Sequence, residues 1–283
     1  MAIFNNFATL SYNGGTTNSN TVTGEILDTL SSTKIAVMDD YTANDDATYV
    51  ITLLNSSTSP ISNVTITDDL GGYAFNETTV YPLEYTAGSV RLYINGVLQA
   101  APAVTAGPPL VFSGISIPAG GNAIIIYEAA VTAYAPLAAD DTITNTAVIT
   151  APGLSTPVTV TAVIQTEDRA DLTISKSVCP AVVSENDQLT YTFVIENHGN
   201  TPAAATDNAV LTDTLDPILD PITVTFNGTT LTEGTAYTYD RTTGLFTTTA
   251  GQITVPAAAY TQAADGTWTI TPGTSVLTIT GTV

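Results

Sequence analysis

Positive charge is nearly absent from this sequence: five Lys and Arg residues stand against 26 Asp and Glu, a formal net charge of −21 at pH 7. Such a chain has no basic stripe for phosphates and repels anionic polymers, which excludes nucleic-acid binding. Cysteine occurs once, as Cys179, so no internal disulfide framework exists and a single thiol is left to pair between chains or to pack as a small core residue. The lone histidine, His198, has no second His or Cys near it, and the residues for a metal cluster or a nucleophilic triad are lacking. No run of 18 apolar residues appears, so membrane insertion is not expected. Met1-Ala-Ile-Phe-Asn-Asn6 shows neither the basic nor the apolar region of a signal peptide. With no nucleophile beside a base and no phosphate loop, the expectation is a protein that is not an enzyme and needs no cofactor or metal.

What the sequence does have is apolar content, 44% of residues against 11% charged, enough to offset the entropy of ordering. At 283 residues it has room for two domains. Short runs of alternating apolar and polar residues, punctuated by Gly, Pro, Asn and Asp, read as strands throughout.

The two halves repeat each other. Tyr49-Val-Ile-Thr-Leu-Leu-Asn55 answers to Tyr191-Thr-Phe-Val-Ile-Glu-Asn197, and Asn63-Val-Thr-Ile-Thr-Asp68 to Asn208-Ala-Val-Leu-Thr-Asp213. Leu92-Tyr-Ile-Asn-Gly96 answers to Val224-Thr-Phe-Asn-Gly228, each a hairpin signal. Ala123-Ile-Ile-Ile-Tyr127 pairs with Ser275-Val-Leu-Thr-Ile279. About seven strands per repeat predict immunoglobulin-like β-sandwiches.

The leader around Lys176, the segment Tyr191 to Asn200, Leu211-Thr-Asp-Thr214 and Thr144-Asn-Thr-Ala-Val148 resemble the bacterial surface repeat known as domain of unknown function 11. The resemblance spans nearly the whole chain. It implies a sandwich used as a building block of cell-surface or spore-surface proteins, and no catalytic activity.

The first repeat ends in a closing hairpin, Thr144–Thr150 and Val158–Ile164, that has no counterpart after Val283. Asn6-Phe-Ala-Thr-Leu10 lines up instead with Asn145-Thr-Ala-Val-Ile149, and Val22-Thr-Gly-Glu-Ile26 with Val160–Ile164. The expected layout is therefore all-β: an N-terminal donor hairpin over 1–28, a complete repeat over 29–168, and a repeat over 169–283 with an acceptor groove. Phe7, Ala8, Leu10, Tyr12, Val22 and Ile26 are the expected donor side chains, and Val276, Leu277, Ile279 and Val283 the acceptor strand. The connector of six residues, Asp28 to Thr33, reaches roughly 20 Å, against a span on the order of 70 Å for two sandwiches. Self-insertion is out of reach by that measure, and donation to the next copy builds an open filament.

The two lysines, Lys34 and Lys176, occupy the same place in the two repeats. With Asp68 and Asn145 in the first repeat, and Asp213 plus Asn6 of a donated hairpin in the second, they form two inward-facing polar trios. Each trio is either a buried ion pair hydrogen-bonded by Asn, or a Lys–Asn isopeptide bond assisted by the Asp. The expected function is a self-assembling structural subunit of an extracellular filament, whose partner is itself and whose anchoring protein is unknown. The alternative is an adhesin or glycan-binding surface protein with the repeats as a stalk.

Overall fold

The computed structural model describes residues 2–26 and 29–283. The chain is all-β, with no α-helix among the described residues. It forms two immunoglobulin-like sandwiches and an N-terminal hairpin.

The first compact unit takes in Met1–Asp39, Asn44–Thr132 and Ile143–Ile164. One of its sheets runs in the order Val97–Leu98, Arg91–Ile94, Asn122–Val131, Asp46–Asn55, Leu30–Ala36. The other includes Ala103–Ala106, Leu110–Ile117, Ile61–Asp68, Thr142–Thr150 and Val158–Thr166, in that order. Alternation explains both layers. Ala47, Tyr49, Ile51 and Leu53 are fully buried along one strand, and Val64, Ile66 and Asp68 along another. The closing hairpin adds Ala147, Ile149 and Ile164 to this core.

The second unit takes in Asp40–Ala43, Ala133–Thr142 and Gln165–Val283. Its larger sheet runs Leu172–Cys179, Gln188–Asn197, Gly273–Thr282, Ile222–Phe226, Thr229–Thr230. Its smaller sheet has three strands, Thr212–Thr214, Leu245–Thr248 and Tyr237–Asp240. Leu189, Tyr191, Phe193 and Ile195 pack with Tyr237, Tyr239 and Phe246 in the core.

Local geometry repeats as well as sequence. Asn95-Gly96 and Asn227-Gly228 adopt the same pair of positive φ angles, 48° and 78°, which a two-residue turn of this hand requires and which Gly meets without strain. Asn55 and Asn197 are both fully buried and both use the side-chain amide to tie neighbouring backbone carbonyls. A buried carboxamide needs such partners.

The acceptor strand expected at Val276, Leu277, Ile279 and Val283 is a correction. Gly273–Thr282 is the central strand of its sheet, paired with Gln188–Asn197 on one side and Ile222–Phe226 on the other, and Leu277 and Ile279 are buried in the core. Chain order misleads here because the strand matching it in the first unit, Asn122–Val131, is central too. The hairpin that follows that strand crosses over and pairs with Ile61–Asp68 in the other sheet. In the second unit the matching free edge is Thr212–Thr214, which pairs with Leu245–Thr248 on one side and with no strand on the other among the described residues.

Among the described residues the N-terminal hairpin pairs only with itself: Ala2–Asn6 with Val22–Ile26, and Thr9–Tyr12 with Gly15–Asn18. The expected donor segment also covers Met1, Leu27 and Asp28, which lie outside the described residues, as does the side chain of Ile26.

Candidate functional site

In the first unit four strands bring Lys34, Asp68, Tyr127 and Asn145 into one buried polar centre. Lys34 Nζ lies 2.7 Å from Asp68 Oδ2, and both side chains are wholly shielded from solvent. Tyr127 Oη donates to the same oxygen at 2.6 Å, and the Leu70 backbone N–H donates to Oδ1 at 3.0 Å. Asn145 Nδ2 donates to Tyr127 Oη at 3.2 Å, while Asn145 Oδ1 has no hydrogen-bond partner among the described residues. Burial lowers the Lys34 pKa from its usual range, an effect that the Asp68 charge opposes. Burial likewise pushes the Tyr127 phenol well up, with the Asp68 charge adding to it. Tyr49 stacks on Tyr127 at 5.5 Å and lies under the Lys34 ammonium, 5.0 Å from ring centroid to nitrogen.

Sequence reasoning found Lys34, Asp68 and Asn145 and missed Tyr127, the hydroxyl that links the last two. Inward periodicity was a signal for it, since Tyr127 shares its face with Ala123 and Ile125. Its counterpart in the repeat alignment is Ile279, so repeat-to-repeat comparison hid the residue.

The second unit holds the same construction half-built. Lys176 pairs with Phe193 across the ladder as Lys34 pairs with Ile51, and Leu172 pairs with Asn197 as Leu30 pairs with Asn55. The registers are identical and the environments are opposite. Leu30 is 3% exposed and Leu172 39%; the Lys34 and Asp68 side chains are 0% exposed, those of Lys176 and Asp213 38% and 20%. Lys176 Nζ still meets Asp213 Oδ2, at 2.5 Å, and sits 4.4 Å from the Tyr191 ring centroid. Ile279 stands where Tyr127 would, and the Leu215 N–H bonds to the Gly244 carbonyl instead of the carboxylate. Among the described residues Asp213 thus accepts from Lys176 alone. Beside the pair, Leu172, Ile174, Ile195, Ala209, Leu211 and Ile253 line an apolar groove of about 160 Å³. In the first unit Ile149 lies opposite Ile66, the counterpart of Leu211, and is buried there.

The hairpin has two unlike faces. Asn5 and Thr23 hydrogen-bond across it at 2.7 Å, as do Thr9 and Asn18. The alternate positions carry Phe4 opposite Gly24, Asn6 opposite Val22, Leu10 opposite Thr17, and Tyr12 opposite Gly15. The Phe4 ring lies over Gly24, and the Tyr12 hydroxyl lies 3.1 Å from where a Cβ on Gly15 would stand. Phe7 and Ala8 fall between the two ladders, where the Ala8 N–H meets Ser19 Oγ at 2.9 Å. Phe4, Phe7, Leu10, Tyr12 and Val22 are each at least half exposed, and Asn6 and Ala8 are exposed with them.

Cys179 is a free, exposed thiol at the end of its strand. Tyr260 gives its hydroxyl to the His198 carbonyl at 2.8 Å, a structural use, and in its small hairpin it pairs with Ile270 while Trp268 pairs with Gln262. No group of three metal-ligating side chains occurs among the described residues.

No protein-family model matches the chain, and no curated protein matches it. Solved structures similar in fold include the major pilin subunit of Bacillus cereus, at 13% identity and a TM-score of 0.38 over 96% of this chain and 73% of the pilin. The pilus backbone of Streptococcus pneumoniae is similar at 11% identity and a TM-score of 0.36 over 86% of this chain, which spans 55% of that protein's length. The collagen adhesin of Staphylococcus aureus is similar at 12% identity and a TM-score of 0.32, over 56% of each chain.

Proposed function

We propose that this chain is the structural subunit of an extracellular filament on a cell or spore surface, and that it grows head to tail by strand donation. The hairpin of one copy lies on the free edge of Thr212–Thr214 in the next and completes its second sandwich as Thr142–Thr150 and Val158–Thr166 complete the first. One observation carries this reading: Leu172 and Lys176 are open to solvent at the register where Leu30 and Lys34 are buried in the unit that has a closing hairpin. A bare strand edge beside an apolar groove is a liability that a donated strand removes. Leu10 takes the place of Ile149, and burying such a side chain contributes about 1.5–3 kcal/mol. The work of such a subunit is mechanical, not catalytic, and the polar centres supply strength rather than turnover.

At those centres the reading extends to an amide bond. Lys34 Nζ adds to Asn145 Cγ, the C–N bond to the carboxamide nitrogen breaks, and ammonia leaves with the proton given up by the amine. Asp68 stands beside the lysine to carry that proton. The burial-lowered Lys34 and the unpartnered Asn145 oxygen support this chemistry. At a joint, Lys176 and Asn6 of the donating copy repeat it next to Asp213.

Removal of residues 1–27 tests the polymer. Negative-stain microscopy should show filaments from the full chain and separate folded particles from the truncated one. Boiling the filaments in detergent should leave a ladder of oligomers where the joints are covalent. Particles alone from the full chain, at every concentration, would overturn the proposal.

A further inference from the structure

The acceptor groove is built to hold the donated strand in one register, and we infer that the Lys176–Asp213 pair is the device that sets it, reading the Asn6 carboxamide. This rests on the strand-donation reading above. An apolar groove alone discriminates poorly between positions two residues apart, because a two-residue slip keeps the same face inward. The donor's inward positions, Phe4, Asn6, Ala8, Leu10 and Tyr12, are apolar at every step but one.

The acceptor chemistry explains why that one position is Asn. Asp68 receives three hydrogen bonds from its own unit: Lys34, Tyr127 and the Leu70 N–H. Asp213 receives one, from Lys176, with Ile279 replacing the tyrosine and the Leu215 N–H engaged elsewhere. The open groove leaves both side chains partly exposed, so water can meet the remaining demand. Once a hairpin covers the pair, that water is gone and a donor is needed from the incoming strand. Asn6 supplies it on docking, its Nδ2 donating to Asp213 before any amide bond to Lys176 forms, where Asn145 acts through Tyr127. Transferring the first unit's ladder places Ala8 opposite Asp213, Thr9 opposite Thr212 and Leu10 opposite Leu211. A slip of two residues either way sets Phe4 or Ala8 over the pair and buries a carboxylate that is short of donors. A single buried polar group fixing a register is an established physical device.

The register is read by disulfide trapping in a Cys179→Ser background. Three chains carry Thr212→Cys with Phe7→Cys, Thr9→Cys or Ser11→Cys, and each is oxidised after assembly. The Thr9–Thr212 link should exceed the other two by about tenfold, the ratio that one lost hydrogen bond to a charged group produces. Replacing the pair by Lys176→Met with Asp213→Leu should bring the three links toward equal yield in the filaments that form. Asn6→Ala should spread the register in the same way with the wild-type groove. Absence of filaments from the parent chain would defeat strand donation itself. Filaments that keep the single Thr9–Thr212 link in the Met/Leu variant would overturn the register inference alone, as would a folded Met/Leu variant that no longer assembles.

Discussion

Two tyrosines and one lysine decide how the first unit responds to alkali. Tyr49 and Tyr127 hold their protons above the ordinary value of 10.0, chiefly because burial penalises the phenolate. In the unfolded chain they ionise near 10, so from there upward the unfolded state binds fewer protons and stability falls with rising pH. Lys34, while a free amine, works in the opposite sense: its folded pKa lies below 10.5, so beneath that value the unfolded chain binds more protons and stability rises with pH. Tyr191 and Tyr237 of the second unit shift upward like the other tyrosines. The melting temperature should therefore climb gently to a maximum close to pH ~10 and drop beyond it. Thermal melts followed by circular dichroism check this, and a curve still flat or rising at pH ~11 would refute it. At this scale the sequence exposed the Lys, Asp and Asn because they recur in both repeats or break an apolar alternation. Tyr127 occurs in one repeat only and looks like any large core residue in a strand of alternating pattern, so its hydroxyl chemistry was invisible before its neighbours were known.

At the scale of strands, the closing hairpin is the element that separates a finished sandwich from an open one. Most strands were legible from alternation, and the Asn-Gly turns from their steric demand for positive φ. The free edge at Thr212–Thr214 was not legible, because sequence order gives strand succession while the closing hairpin of the first unit attaches across the sandwich, with Ala147 opposite Asp68 far earlier in the chain. The hairpin expected as the donor was legible as strands, and in the structure it is self-paired with Phe4 over Gly24 and Tyr12 beside Gly15. A covalent test of element identity follows. Appending the chain's own connector, residues 132–141, and then residues 2–26 after Val283, while removing the original residues 1–27, offers each molecule its own closing hairpin. This variant should remain monomeric, and its second unit should gain several kcal/mol of stability from the newly buried Leu10 and Tyr12 together with Leu172 and Ile174, at about 1.5–3 kcal/mol each. Denaturant melts of this chain against the truncated one measure the gain, and equal midpoints would show that the hairpin does not belong in that groove.

For the whole molecule, the surplus of acid sets the terms of association. Each copy carries −21, so two copies repel until their surfaces are close, and under the strand-donation proposal the attraction between them is short-ranged: apolar burial, a strand ladder and the Lys176–Asp213 pair. Long-range repulsion with short-range capture makes growth a salt-dependent rate. Raising ionic strength from about 0.01 M to 0.15 M shrinks the screening length from about 30 Å to 8 Å, and filament elongation followed by light scattering should accelerate accordingly. The reverse step should not respond in kind. In the proposed joint Lys176 and Asp213 are covered and shielded from ions, so filaments grown in salt and returned to low ionic strength should keep their length over the period in which fresh subunits barely add. Elongation that slows as salt rises would mean that opposite charges steer the encounter. The acidic surface would then be part of the docking site itself, and the groove with its hairpin would not be sufficient to account for assembly.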